Sequence, residues 1–258
     1  MWKVGIMAAV RKGWTRQQLL IAFGLYCQIP FGKLHSRNPQ IIKYAGYIGR
    51  TPSALAMKLT NIASLDPAIT STGRKGLKGA SVADQNMWQE VQGDWGNFVL
   101  EFEKSSAGVI NKEERHDDSE PTDYTGKNKI IQTTTRVGQS FFRNTVVSAY
   151  NGKCCITGLS ETRLLIASHI IPWREDEANR LNPRNGLLLS MLHDKAFDLG
   201  IITIKEDMTI HVSRKNIVKD NYFNASIGCY EGKKIALPEK FQPDAEFLAY
   251  HRENIFEK

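Results

Sequence analysis

Three polar positions in the second half of the chain have residue types that suit hydrolysis of a phosphodiester. They are His169, Asn185 and the adjacent pair His193 and Asp194, each near a short apolar run. Such hydrolysis requires a base that activates water and a cation that stabilises the developing negative charge. An imidazole is partly neutral near pH 7, and amide and carboxylate oxygens bind Mg²⁺. The pattern therefore predicts metal-dependent attack on a phosphodiester, with His169 as the base.

The metal in this prediction depends on which side chains reach it. Asn185 and Asp194 offer oxygen atoms and favour Mg²⁺ or Mn²⁺, whereas His193 would extend the choice toward Zn²⁺ or Ni²⁺. Asp198, four residues after Asp194, is a further candidate ligand, or a residue that braces the following turn. A structural zinc site is not expected, because the four cysteines contain no Cys-x-x-Cys pair.

The elements predicted around these residues form a compact scaffold for a metal site. Residues 154–158 have the pattern of a short strand and turn, and residues 164–167 that of the returning strand, which ends close to His169. A helix predicted from Leu187 onward would carry the candidate carboxylates. Residues 200–212 are predicted to form a hairpin after that helix.

The N-terminal region has the pattern of a helical domain. A capping box begins at Thr15, and Asn38 and Thr51 are each followed by proline, as at the start of a helix. The two helices after Asn38 and Thr51 are separated by a short turn and resemble a helix-turn-helix; the alternative is an ordinary helical hairpin. One later helix from about Val82 is predicted to carry an apolar face as far as Phe102.

The basic charge of the chain is concentrated at its N-terminal end. The net charge is +7, and residues 1–100 carry 12 basic and 4 acidic side chains. This imbalance is expected of a surface that meets a polyanion, and a solvated basic surface is the alternative. The residues expected to contact DNA are Arg50, Ser53, Lys58 and Asn61 around the second helix of the pair, Arg74 and Lys75 in a glycine-rich loop, and Arg143 and Arg184 near the scissile bond. The alternative is a linker for the loop and an ordinary surface ion pair for each of the last two arginines.

Composition also predicts the domain boundaries. Residues 104–128 are polar and acidic and have the pattern of a linker between an N-terminal domain, 1–103, and a C-terminal domain, 129–258. No apolar run approaches the roughly 20 residues that a membrane span requires. The first residues include no long signal core, so a cytoplasmic protein is expected.

Taken together, the C-terminal motifs resemble those of the HNH endonuclease family, and more narrowly the HNH domains of restriction-type endonucleases. The resemblance covers roughly residues 130–257 and is carried by residues 150–158, 167–173, 185–189 and 194–200. It implies a ββα-metal fold. The expected fold class of the whole chain is therefore α+β, with a helical N-terminal domain joined to a C-terminal ββα-metal nuclease domain.

The resemblance also implies a role for each site residue. His169 matches the general base, Asn185 the central asparagine that orients the site and ligates the metal, and Asp194 the final metal ligand. His193 would take the last role if the helix register differed by one residue. Ser168 stands where many members of the family have a metal-binding aspartate, which leaves a shell completed by water and substrate oxygens.

The function predicted from these features is that of an endonuclease of restriction or defence type that cuts double-stranded DNA. A divalent metal, most simply Mg²⁺, is the expected cofactor. One site cuts one strand, so a homodimer is the expected partner arrangement for a double-strand break. The alternatives are a non-catalytic DNA-binding regulator with a degenerate HNH domain, and an effector nuclease activated by a nucleotide second messenger.

Overall fold

A computed structural model describes residues 13–73, 79–108, 129–215 and 220–258, with the backbone alone for residues 129–137. The fold is α+β, as predicted, with many helices and two small antiparallel sheets. The helices are α1 (Arg16–Gln28), α2 (Pro39–Tyr47), α3 (Pro52–Ala63), α4 (Pro67–Thr70), α5 (Val82–Gly93), α6 (Trp95–Ser106), α7 (Lys129–Ala149), α8 (Met191–Asp198), α9 (Asn221–Ser226) and α10 (Ala245–Asn254). The strands are β1 (Leu165–His169), β2 (Gly186–Ser190), β3 (Ile202–Ile204) and β4 (Ile210–Val212).

Helix α1 is the centre of the N-terminal half. Every residue from Leu19 to Cys27 is buried, because α3, α6 and α7 pack around the helix. The predicted capping box is present at its start, where the Thr15 side chain accepts from the Gln18 amide. The predicted caps of α2 and α3 are also present, at Asn38 and Thr51.

The single helix predicted from Val82 to Phe102 is instead two helices, so that prediction was wrong. The chain breaks at Asp94, whose backbone leaves the helical region and whose side chain accepts from the Asn97 amide to begin α6. The apolar face continues across the break and remains buried. Helix α6 ends at Ser106, inside the segment predicted to be a linker, and residues 109–128 of that segment lie outside the described residues.

The second half of the chain is built around the β1–β2 pair. The two strands are antiparallel, with Ser168 opposite Leu187 and His169 opposite Gly186, and α8 follows β2 directly. The turn predicted within residues 154–158 is present but the strand predicted there is not, and the chain from Gly186 to Ser190 is strand rather than the predicted start of a helix. All five β2 residues are buried, so this apolar run carries no periodicity that distinguishes a strand from a helix.

Helix α7 and a buried lysine join the two halves. On α7, Phe141 packs into the N-terminal core, whereas Phe142 and Val146 pack into the C-terminal core. Lys240 is fully buried and its ammonium donates to the carbonyls at the end of α1 and to the Ser148 hydroxyl of α7, at 2.6–3.0 Å. The chain segment after β4 therefore returns to the N-terminal core and closes the end of its central helix.

Candidate active site

Five polar side chains line one cavity of about 430 Å³ beside β1 and α8: Ser168, His169, Asp194, Asp198 and His251. Ser168 and His169 are the last two residues of β1. Asp194 and Asp198 are four residues apart on α8 and therefore lie on the same face of that helix. The tertiary structure thus brings an imidazole and two carboxylates to one opening.

His169 is held by two aromatic rings and one backbone carbonyl. Its ring stacks on Phe142, with centroids 4.0 Å apart and planes 10° apart, and meets the edge of Trp173 at 5.4 Å. Its Nε2 atom lies 2.9 Å from the Arg180 carbonyl oxygen. A carbonyl only accepts, so Nε2 carries the proton and Nδ1 keeps a free lone pair. Burial lowers the pKa of His169, which keeps the ring neutral and basic near pH 7.

The two carboxylates are held where negative charge is unfavourable. Burial raises the pKa of Asp194, an effect opposed by the Ser168 hydroxyl and the charge of Lys195. Burial also raises the pKa of Asp198, and the negative charge of Asp194 raises it further. A cation at this position would relieve both effects.

The comparison with known families decides which class of domain surrounds this cavity. Residues 154–205 match the model of the HNH endonuclease family. This segment is an HNH endonuclease domain. It contains the β1–β2 pair, α8 and, of the residues that line the cavity, Ser168, His169, Asp194 and Asp198. No curated protein matches the chain.

HNH domains in general are nuclease domains that act on DNA with a divalent metal. The DNA-cleaving class predicted from the motifs therefore agrees with the family match. Among the described residues, no helix has the length and apolar character needed to cross a membrane.

The HNH cavity offers an incomplete protein shell for a metal ion. Within the described part of the chain, no three His, Cys, Asp or Glu side chains are close enough together to hold one. Asp194 and Asp198 supply two carboxylates, and the buried Ser168 hydroxyl, which has no well-aligned hydrogen-bond partner, lies beside Asp194. An all-oxygen set with few protein ligands fits Mg²⁺, which keeps several waters and accepts substrate phosphate oxygens.

Asn185 does not line the cavity, and its catalytic and metal-binding roles stay predictions. The side chain is 1% exposed and its Oδ1 accepts from the Ile171 amide at 2.8 Å. Its Nδ2 donates to the carbonyls of Ile171 and Asn179, at 3.2 and 3.3 Å. Asn185 therefore braces the loop that follows β1. Of its two expected roles, the geometry supports the orienting one.

His193, another predicted metal ligand, also does not line the cavity. The side chain is buried, with Nδ1 2.8 Å from the Ser190 hydroxyl and its ring edge-on to Tyr230 at 5.2 Å. One helical residue is a rotation of about 100°, so the neighbours His193 and Asp194 face different surroundings. Asp194 is the residue that lines the cavity.

One histidine that lines the cavity, His251, had no role predicted from the sequence. His251 lines the cavity, with Nδ1 2.9 Å from the Thr203 hydroxyl and Nε2 3.1 Å from the Phe197 carbonyl. Both nitrogens are occupied, so His251 is a packing residue. A carbonyl that orients His169 was expected from the sequence, but its identity as that of Arg180 was not, because a backbone atom leaves no signal in residue type.

Two of the predicted DNA-contacting arginines have partners within the C-terminal half. Arg143 donates to the carbonyls of Leu165 and Thr162, at 2.8 and 3.1 Å, which ties α7 to the start of β1. This is a bracing role rather than the predicted grip on phosphate. Arg184 is at the surface and pairs with Asp244 at 2.9 Å.

The remaining predicted DNA contacts differ in accessibility. Ser53 is exposed on α3 and Asn61 is half-buried. Arg50 bonds to Gln18 and lies over the Trp14 ring, 4.9 Å from its centroid. Arg74 and Lys75 lie outside the described residues.

Lys58 was predicted to face DNA, and the structure buries it instead. Its ammonium lies 2.8 Å from both oxygens of Asp84, and the two residues are 6% and 0% exposed. The interior position follows from packing of α5 against α3. Because lysine has a long apolar stem and a charged end, its residue type alone does not indicate whether it lies on the buried or the exposed face of a helix.

We expect Lys58→Met to lower the free energy of unfolding by about 3 kcal/mol, because it leaves the buried Asp84 carboxylate without its cation. Urea denaturation measures the change, and Lys104→Met, an exposed lysine of α6, is the matched control. DNA affinity at a temperature where both variants are folded should be unchanged. Normal stability with weaker DNA binding would restore the role predicted from the sequence.

Proposed function

We propose that this protein is a divalent-metal-dependent endonuclease of restriction or defence type that cuts double-stranded DNA in the cytoplasm. The observation that carries the proposal is the pairing of His169 with two carboxylates. Its Nε2 is bound to a carbonyl and its Nδ1 is free, and it lines one cavity with Asp194 and Asp198. A neutral, oriented imidazole beside a site for a cation is the combination that phosphodiester hydrolysis requires.

In this proposal, the residues of the HNH domain have separate roles. His169 Nδ1 takes a proton from water while the water oxygen bonds to phosphorus and the bond to the leaving oxygen breaks. Asp194 and Asp198 would hold Mg²⁺, with Ser168 beside them. When bound, the cation stabilises the negative charge that develops on the phosphate. Phe142 and Trp173 keep the imidazole plane fixed during proton transfer.

The N-terminal half would supply affinity for DNA. Its excess of basic residues suits a phosphate backbone. Ser53 and Asn61 on α3, together with Arg74, Lys75 and Arg184, remain the proposed contacts. Two copies of the chain would place one HNH site on each strand.

Incubation of a supercoiled plasmid with Mg²⁺ or Mn²⁺ tests the proposal. We expect open circles to form with the metals and not with EDTA, and linear DNA to follow where two copies act together. Asp194→Asn should slow nicking on the order of 100-fold, because a neutral amide is a poorer ligand for a hard cation.

Asp207→Asn is the matched control, since this exposed aspartate lies in the turn between β3 and β4. Nicking that persists in EDTA would contradict the metal dependence, and normal nicking by Asp194→Asn would contradict the site. No nicking with any divalent metal would contradict the nuclease itself.

A second candidate function is favoured by Ser168. This residue stands where many HNH domains have a metal-binding aspartate, and a poorer metal shell is expected in a regulator that binds DNA without cutting it. The two functions separate in one comparison: a regulator shifts the mobility of DNA at metal concentrations that produce no open circles.

A further inference from the structure

The orientation of His169 depends on a loop that has no regular secondary structure. Residues 172–182 connect β1 to the turn before β2. Within this loop, the Arg180 carbonyl accepts the Nε2 proton of His169 at 2.9 Å. The direction of one backbone carbonyl therefore selects which imidazole nitrogen is free to act as a base.

A series of side chains at three-residue spacing gives this loop its shape. Asn179 donates from its backbone and side-chain nitrogens to the two carboxylate oxygens of Asp176, at 3.1 and 2.7 Å. Its Oδ1 accepts from Asn182 Nδ2 at 3.0 Å, and its carbonyl accepts from Asn185 Nδ2 at 3.3 Å. Asn179 thus uses both its backbone groups and both ends of its side chain, as Asn182 and Asn185 also do, and it is the member next to Arg180.

Arg180 is restrained on its other side by its own side chain. Its Nε donates to the Trp173 carbonyl at 2.6 Å, and its guanidinium lies over the Trp173 ring and pairs with Glu177 at 3.0 Å. Turning the Arg180 carbonyl away from His169 would require these contacts or those of Asn179 to break. The loop therefore has one well-defined arrangement in which Nε2 of His169 is protonated.

We propose that Asn179 is a positioning residue that sets the tautomer of His169 through the Arg180 carbonyl. It lines no part of the HNH cavity, so its effect on the reaction passes through the loop. The expected effect of Asn179 on the rate rests on the proposed function, whereas its expected effect on the tautomer rests on geometry alone. The Arg180 carbonyl, held by Asn179, takes the place that a carboxylate partner of His169 would have.

The test compares Asn179→Ala with wild type by ¹⁵N nuclear magnetic resonance of the histidine rings. We expect wild-type His169 to show one protonated Nε2 and one unprotonated Nδ1, and the variant to show a mixture of the two tautomers. The nicking rate at saturating DNA should fall in proportion to the lost population of the Nε2-protonated tautomer, about twofold for an equal mixture, with KM unchanged.

Asn97→Ala is the matched control, since Asn97 is an exposed asparagine of α6. If Asn179→Ala does not fold, Asp176→Ala removes the outer partner alone and should shift the tautomer in the same direction. A wild-type tautomer pattern in either folded variant would overturn the inference. Absence of nicking by the wild-type protein would contradict the proposed function. The tautomer measurement would still test the role of Asn179 separately.

Discussion

His169→Ala is expected to lower the rate of metal-dependent plasmid nicking by about 10³-fold, within the usual range for loss of a general base. The ring packs on Phe142 and donates Nε2–H to the Arg180 carbonyl, so its remaining nitrogen is presented in one tautomer. Alanine removes the proton acceptor and leaves the two carboxylates in place. Single-turnover nicking at saturating DNA and Mg²⁺ measures the loss, with circular dichroism to establish that the variant is folded.

His211→Ala is the control for this experiment, because His211 is a partly exposed histidine that pairs with Glu231 at the far strand β4. The pH profile gives an independent readout. Burial lowers the pKa of His169, so the neutral base persists to lower pH than for an ordinary histidine of pKa about 6.5. Wild-type nicking should therefore decline only below that value. Equal rates for wild type and His169→Ala would remove His169 from the mechanism.

Lys240→Met is expected to lower the free energy of unfolding by about 4 kcal/mol near pH 7. Methionine keeps much of the apolar stem but leaves three carbonyls at the end of α1 and the Ser148 hydroxyl without their shared donor. Because these groups belong to α1 and α7, the loss should weaken the contact between the two halves. Urea denaturation followed by circular dichroism measures the change, and Lys153→Met, an exposed lysine, is the control.

The pH dependence of this difference has a definite sign. Burial lowers the pKa of Lys240 from 10.5 to about 8, so between those two values the unfolded chain binds more protons than the folded one. The contribution of Lys240 to stability therefore increases as pH rises from about 8 to about 10.5. The difference between wild type and Lys240→Met should grow over that window. A difference that shrinks with rising pH would show that the folded-state pKa is not lowered.

Local features of the sequence were sufficient for much of the N-terminal half. The capping box at Thr15 and the caps of α2 and α3, which each begin with a proline, depend on side chains within a few residues of the backbone groups that they bind. Such interactions need no tertiary partner. The break at Asp94 escaped prediction because the apolar face continues through it, although the cap that Asp94 forms on the Asn97 amide is itself local.

The tertiary structure decided the parts that depend on distant partners. The run from Gly186 to Ser190 becomes a strand because β1 pairs with it and both of its faces are covered. Lys58 turned from a predicted DNA contact into a buried ion pair because Asp84 on α5 meets it. Neither outcome can be read from residue type at short range.

The candidate active site likewise depends partly on the sequence and partly on the tertiary structure. By itself, the sequence determined the class of chemistry, since the order of His169, Asn185 and Asp194 is that of an HNH domain and residues 154–205 match that family. Only the tertiary structure decided which of these residues meet. Helix rotation separates His193 from Asp194, and hydrogen bonds draw Asn185 into the loop. The physical reason is that a residue's type limits its possible chemistry, whereas the direction of its side chain is set by packing across the whole fold.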